Sequence, residues 1–232
     1  MKRLIILFHG YCSNTEIIAK VFQPLIDQFN DDLFFAPNGL YPCNCRVNNG
    51  EYANILCQSV PSNDSSERFS WFEIDPTEME KMLQQITAIQ DQLKKWINQL
   101  LKKYQLTYDD LILIGHSQGA ILALYLTYFV LPPCRGTISY AGMLPLNGLL
   151  PRPELNIPGN QSSIFHRMIK LNQTNTLLIH GEKDMIIPYK ESVKMGNLIN
   201  ELGGKSEVKI LPNDGHSITE SGLLLINEFL EK

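Results

Sequence analysis

Leu111-Ile112-Leu113-Ile114-Gly115-His116-Ser117-Gln118-Gly119-Ala120 is the stretch that decides how this chain folds. An apolar run ends in Gly-x-Ser-x-Gly, and helical spacing of Ile121, Leu122, Leu124, Tyr125 and Leu126 follows at once. That pattern makes a nucleophile only where a strand turns sharply into a helix. Two glycines then omit the Cβ atoms that would clash, and the strained serine lifts its hydroxyl above the sheet. The motif alone is weak. Its strand–turn–helix setting gives it weight.

Working outward, short apolar runs at 4–8, 33–36, 111–115, 136–141, 176–180 and 208–211 read as strands. They are continuous rather than alternating, as strands covered on both faces should be. Amphipathic segments separate them, at 14–29, 118–131, 189–202 and 218–230. The clearest opens at Asp75-Pro76-Thr77-Glu78, with a capping carboxylate and a proline at the first helical position. Met82, Leu83, Ile86, Ile89, Leu93 and Ile97 then continue at three–four spacing, a face laid on a sheet. Alternating β and α elements predict an α/β fold, a mostly parallel central sheet with helices on both faces. We read residues 1–232 as a single domain. Two long connections, 38–75 and 143–175, leave the carboxyl ends of predicted strands, where such sheets bind ligands. Both should overhang a site there.

Composition narrows the partners. The 232 residues are 44% hydrophobic with net charge −4, enough chain for a full core and too acidic for nucleic acid as the main partner. No apolar run approaches the ~18 residues of a bilayer span, so no stable membrane insertion is expected. The N-terminal apolar run at 4–8 is shorter than a signal-peptide core and reads as a first strand. Five cysteines, Cys12, Cys43, Cys45, Cys57 and Cys134, suit reduced thiols and a cytoplasmic location more than a disulfide framework. Cys43-Asn44-Cys45 with Cys57 has no zinc-like spacing and no nearby histidine. No metal is expected.

A serine hydroxyl needs a base, a group to orient that base, and donors for an oxyanion. His216 is the best-placed base, following the last strand across Pro212-Asn213-Asp214-Gly215. His180 reads as a structural strand-end residue, His116 lies inside the turn, His166 in a loop, and His9 holds the loop after the first strand. Asp184 lies between Ser117 and His216 in chain order and follows a strand through Gly181-Glu182-Lys183. Glu182 is nearer the strand, and Asp214 too near His216 along the chain. The oxyanion donors should be the amides of Gln118, opening a helix, and Tyr11, in His9-Gly10-Tyr11-Cys12.

Taken together, these residues resemble the phospholipase/carboxylesterase family of α/β-hydrolases, which includes acyl-protein thioesterases and bacterial carboxylesterases. The resemblance rests on Leu7-Phe8-His9-Gly10-Tyr11, Ala36-Pro37-Asn38, Ser70-Trp71-Phe72 and Gly115-His116-Ser117-Gln118-Gly119-Ala120. It continues through Met143-Leu144-Pro145-Leu146, His180-Gly181-Glu182-Lys183-Asp184 with Ile187-Pro188, and Gly215-His216. The glutamine after the serine and the Trp-Phe pair are more specific than the turn motif. The resemblance implies Ser117, Asp184 and His216 as a triad, Tyr11 and Gln118 as oxyanion donors, and Trp71 and Met143 bordering an acyl pocket. It implies a serine hydrolase for carboxylic esters, with no cofactor. A lysophospholipase or an acyl-protein thioesterase is the alternative, and an inactive hydrolase fold used as a binding module stands outside enzymes. Partners are then a small-molecule ester, thioester or lysolipid, and a homodimer stays open. One departure is Cys12, where family members usually carry glycine. Another is the long connection after Asn38, rich in Cys and Asn.

Overall fold

In the first strand, β1 (Leu4–Phe8), Leu4, Ile6 and Phe8 face one side and Ile5 and Leu7 the other, and all five are buried. A strand covered on both faces belongs inside a sheet with helices above and below. The structure, a computed structural model, describes residues 2–43, 66–73, 79–144 and 172–232. Among these, β1 pairs in parallel with β2 (Leu33–Phe35) and β5 (Leu111–His116). The sheet continues through β6 (Gly136–Tyr140), β7 (Asn175–Gly181) and β8 (Lys205–Leu211), every pairing parallel. Strand order is β2-β1-β5-β6-β7-β8. Every carboxyl end therefore lies on one rim.

Helix α1 (Thr15–Gln28) and the last helix, α5 (Glu220–Leu230), cover one face. Ile18, Phe22, Ile226 and Leu230 pack there on Ile5, Leu7, Ile112, Ile114 and Ile179. The other face carries α2 (Met79–Tyr104), α3 (Gln118–Tyr125) and α4 (Lys190–Glu201). Ile86, Leu93, Ile97 and Leu122 meet Leu4, Ile6, Phe8 and Leu113, while Met195 and Ile199 close on Leu178. Each fully buried Leu or Ile contributes about 1.5–3 kcal/mol of transfer free energy. These two layers hold the sheet rigid under its rim.

The sequence expectations hold for the α/β architecture and shift at several ends. Strand β8 begins at Lys205 rather than 208, because it pairs only with β7 and its exposed Lys205 and Glu207 mask the strand in a hydropathy reading. The helix expected over 118–131 is α-helical to Tyr125 and then widens into a π turn at Leu126–Val130. Helix α5 starts later than expected because Thr219 caps it, its Oγ1 accepting from the Gly222 amide. The expected cap at Asp75 lies outside the described residues. Within the connection read as a loop at 38–75, β3 (Tyr41–Pro42) and β4 (Phe69–Ser70) form an antiparallel pair, and Ser13 bridges to Phe69.

That small pair corrects the reading of the cysteines. Cys12 and Cys43 are joined as a disulfide, their Cα atoms 5.3 Å apart. The Cys43 amide donates to the Arg68 carbonyl and extends the ladder, while the Ser13 bridge brings Cys12 to the same place. Residues 31 apart in sequence meet only through this pairing, so spacing gave no sign of it. Cys134 is a buried free thiol, and Cys45 and Cys57 lie outside the described residues. A disulfide is a bond of oxidising compartments, which removes the basis for inferring a cytoplasmic location from reduced thiols. No helix among the described residues is long and apolar enough to cross a membrane.

Candidate active site

Ser117 follows β5 with φ 54° and ψ −117°, a conformation that L residues rarely adopt and that costs about 1–3 kcal/mol. Its surroundings enforce it. The Ser117 amide donates to the Tyr140 carbonyl at 2.9 Å. A Cβ on Gly115 would stand 2.2 Å from the Gly119 carbonyl oxygen, and one on Gly119 would stand 2.2 Å from that of Phe8. Both glycines are thus demanded by the close approach of turn, helix and β1. Gln118 opens α3, so its amide has no intrahelical partner and sits at the positive end of the helix dipole.

Two further strand ends bring their side chains to this serine. His216, in the loop after β8, places Nε2 2.8 Å from Ser117 Oγ, and its Nδ1–H donates to Asp184 Oδ2 at 2.7 Å. Asp184 lies in the turn after β7. Its Oδ1 accepts from the amides of Ile186 (2.8 Å) and Ile187 (3.0 Å). Burial opposes the negative charge on Asp184, but hydrogen bonds from His180 and His216 and the field of His216 outweigh it. The carboxyl is held well below its ordinary range. A buried, ionised carboxylate beneath an imidazole can orient that ring and stabilise it when protonated. The two loops are also stitched together: Lys183 donates its amide to Asp214 O and Glu182 to Leu211 O, each at 2.9 Å.

His116 lies within the turn and does not act on the serine. Its Nε2–H donates to the His216 backbone carbonyl at 2.8 Å, and the two rings sit 5.2 Å apart. Burial, then the neighbouring His216 charge, lowers its pKa to about 4. His116 therefore fixes the backbone of His216.

The other side of Ser117 is the loop after β1. His9 is fully buried there, and burial lowers its pKa to about 4. Its Nδ1–H donates to the Gly10 carbonyl at 2.7 Å, leaving Nε2 to accept the Gly39 amide at 2.9 Å. Those two partners fix one tautomer. Trp71 donates its indole N–H to the His9 carbonyl at 2.9 Å and packs edge-on against Phe8. Gln118 completes the frame, its Oε1 accepting the Trp71 amide at 2.8 Å and its Nε2 donating to Phe72 O at 2.5 Å. The residue after Ser117 thus ties the Trp71–Phe72 segment to the helix start.

Of the residues singled out from sequence, Ser117, His216 and Asp184 meet in one hydrogen-bonded line. Gln118 and the loop holding Tyr11 flank the serine: a Cβ built on Gly10 would lie 3.5 Å from Ser117 Cβ. Trp71 is wholly buried, and Met143 is half-buried against the apolar cluster containing Trp71 and Phe72. The expectation that the two long connections overhang the site falls on residues 44–65, 74–78 and 145–171, which lie outside the described residues. Sequence reasoning missed the clamp by His116, the brace by the Gln118 side chain and the second histidine on Asp184. Only the last had a local sign, the i,i+4 spacing of His180 and Asp184. Among the described residues, no cluster of three His, Cys, Asp or Glu side chains could hold a metal ion.

Comparison with solved structures matches the whole architecture. The esterase PE8 superposes with a TM-score of 0.76 at 24% identity, covering 99% of this chain and 91% of that one. SOBER1 of Arabidopsis thaliana gives 0.66 at 17% identity over 100% and 98%. The Bacillus cereus carboxylesterase gives 0.64 at 15% over 99% and 88%. At these identities the likeness establishes the α/β-hydrolase fold alone. The family model for phospholipases and carboxylesterases matches residues 1–232. This chain belongs to the phospholipase/carboxylesterase family.

Proposed function

We propose that this protein is a serine hydrolase cleaving carboxylic esters through Ser117, His216 and Asp184. Family membership supports ester hydrolysis in general. The observation that carries the serine mechanism is the unbroken line Ser117 Oγ to His216 Nε2 (2.8 Å) and His216 Nδ1 to Asp184 Oδ2 (2.7 Å). Ser117 Oγ attacks the ester carbonyl as His216 Nε2 takes its proton, and Asp184 stabilises the imidazolium that forms. The carbonyl oxygen becomes an oxyanion received by the amides of Gln118 and Tyr11. The C–O bond to the alcohol breaks, and His216 returns the proton to that leaving group. Water then loses a proton to His216 and attacks the acyl-enzyme. Ser117 leaves with the proton, and the carboxylic acid is released. Every proton moves through one imidazole, so the cycle needs no cofactor.

Met143, which is half-buried, is assigned to the wall nearest the acyl chain, with the wholly buried Trp71 in the apolar cluster it packs against. The test is hydrolysis of aryl esters from acetyl to palmitoyl, beside a lysophospholipid and an acyl-thioester, by wild type and Ser117→Ala. Turnover of the esters by wild type, with at least a thousandfold loss in Ser117→Ala, is the expected result. Equal rates in the two proteins would place the nucleophile elsewhere. Turnover of the lysophospholipid or thioester alone would move the substrate class.

A further inference from the structure

His180 is the penultimate residue of β7, is fully buried, and meets the same Asp184 oxygen as His216. We infer that His180 is a positioning residue, which shares Asp184 Oδ2 with His216 and thereby sets both the direction and the strength of the Asp184–His216 hydrogen bond. The inference rests on the serine mechanism proposed above.

The tautomer follows from the neighbours. Nε2 of His180 faces two acceptors, Asp184 Oδ2 at 3.1 Å and the Ile187 carbonyl at 2.8 Å, so Nε2 carries a hydrogen. Nδ1 lies 2.7 Å from Ser192 Oγ and accepts from that hydroxyl. Ser192 is buried at the start of α4, so the ring is held at both nitrogens by elements on either side of the turn. Asp184 then receives four N–H groups. Oδ1 takes the Ile186 and Ile187 amides, and Oδ2 takes His180 and His216.

A carboxylate oxygen with two donors cannot give its whole charge to either. The His180 N–H draws density from Oδ2, which would otherwise bind the His216 N–H more strongly. Taking His180 away has two consequences of different kinds. The carboxylate loses one of its two Oδ2 anchors, so His216 is aimed less well at Ser117. The remaining bond to His216 also strengthens, which favours the protonated imidazole. The first lowers kcat. The second moves the acid limb of the pH–rate profile to higher pH. Substrate binding should be little touched, since His180 is fully buried.

The experiment compares kcat, KM and the pH dependence of kcat/KM for aryl acetate hydrolysis in wild type, His180→Leu, His180→Gln and Ser192→Ala. Leu keeps the bulk and removes both nitrogens. Gln keeps an N–H that can reach Asp184. For His180→Leu we expect a ten- to hundredfold fall in kcat, as a misplacement near 1 Å produces. KM should stay within about twofold, and the acid limb should rise by about half a pH unit. His180→Gln should recover most of the rate and return the limb toward wild type. Ser192→Ala, which frees Nδ1 of the ring and also takes the hydroxyl from the Gly142 carbonyl 3.4 Å away, should move the limb the same way by less, and serves if His180→Leu does not fold. A limb unmoved in both His180→Leu and Ser192→Ala, or His180→Gln no better than Leu, would overturn the inference and leave a purely structural histidine. Wild type inert toward every ester would remove the serine mechanism and this inference with it.

Discussion

On the β7–β8 side of Ser117, the acid and its partners come from 180–192 and 214–216, short stretches after two adjacent strands. On the β1 side, the loop after β1, proposed to receive the oxyanion, is held by contacts that jump across the chain. His9 bonds to Gly39, Trp71 to His9, Gln118 to Trp71 and Phe72, and Cys12 to Cys43. The first side is built from local turns in register with the sheet, and its hydrogen bonds converge on one charge. The second joins distant segments through mostly neutral bonds, with the Arg68 guanidinium donating to the Cys12 carbonyl at 3.2 Å beside them. Losing a member of the first should disable chemistry with the fold intact. Losing a member of the second should loosen the fold and reach the chemistry only through loop position.

The largest effect should come from the charged side. Asp184→Asn keeps the size of the side chain but removes the charge beneath His216, and we expect kcat to fall by about a hundred- to ten-thousandfold. Circular dichroism and thermal melting should show a folded protein. A loss below tenfold would mean that the carboxylate does not orient the base.

The oxyanion side should answer differently. Cys12→Ser releases a loop of 31 residues in the unfolded chain, which on the chain-entropy model costs about 3–4 kcal/mol of stability. Urea unfolding of Cys12→Ser against wild type measures it. The same loss should follow when wild type is treated with a dithiol reductant, whereas Asp184→Asn should be no more sensitive to reductant than wild type. A Cys12→Ser protein as stable as wild type would contradict the tether.

Both sides should respond to acid. Asp184 is held below its ordinary range in the fold, so its stabilisation is complete above that range and fades as pH falls into it. His9 works in a higher window, which it shares with His116. Its pKa is lowered from 6.5 to about 4, so between those values the unfolded chain takes up a proton that the fold refuses. Stability should therefore fall from pH 6.5 toward pH 4, by about 3 kcal/mol for this one group. Urea midpoints at pH 7 and pH 5 for wild type and His9→Gln check the sign. His9→Gln should be less stable at pH 7 and should decline less on acidification. An equal decline in both proteins would mean that His9 is not the group refusing the proton.

This contrast also explains what the sequence could reveal. The apolar run at 111–114 and the flanking Gly115 and Gly119 announce the turn, because strand burial and a two-ångström clash leave few other residues acceptable. Asp184 and His216 were legible because each follows a strand that ends on the same rim. Trp71 as a brace for His9 was not, since an indole in a loop reads the same whether it lines a pocket or donates to a buried carbonyl. The Cys12–Cys43 bond was hidden for the same reason: it depends on β3 and β4, two-residue strands with no periodicity to detect. His180 sat in plain view at the end of β7. Only the two-acceptor environment of its Nε2 separates it from an ordinary strand-end residue.

The most direct test of the central claim is a mass-spectrometric map of the protein after reaction with a fluorophosphonate. A serine activated by His216 should be phosphonylated once, on the peptide containing Ser117, and His216→Ala should abolish that label while leaving the protein folded. Wild type left unmodified where a known serine hydrolase reacts, or a label on any other residue, would contradict the account.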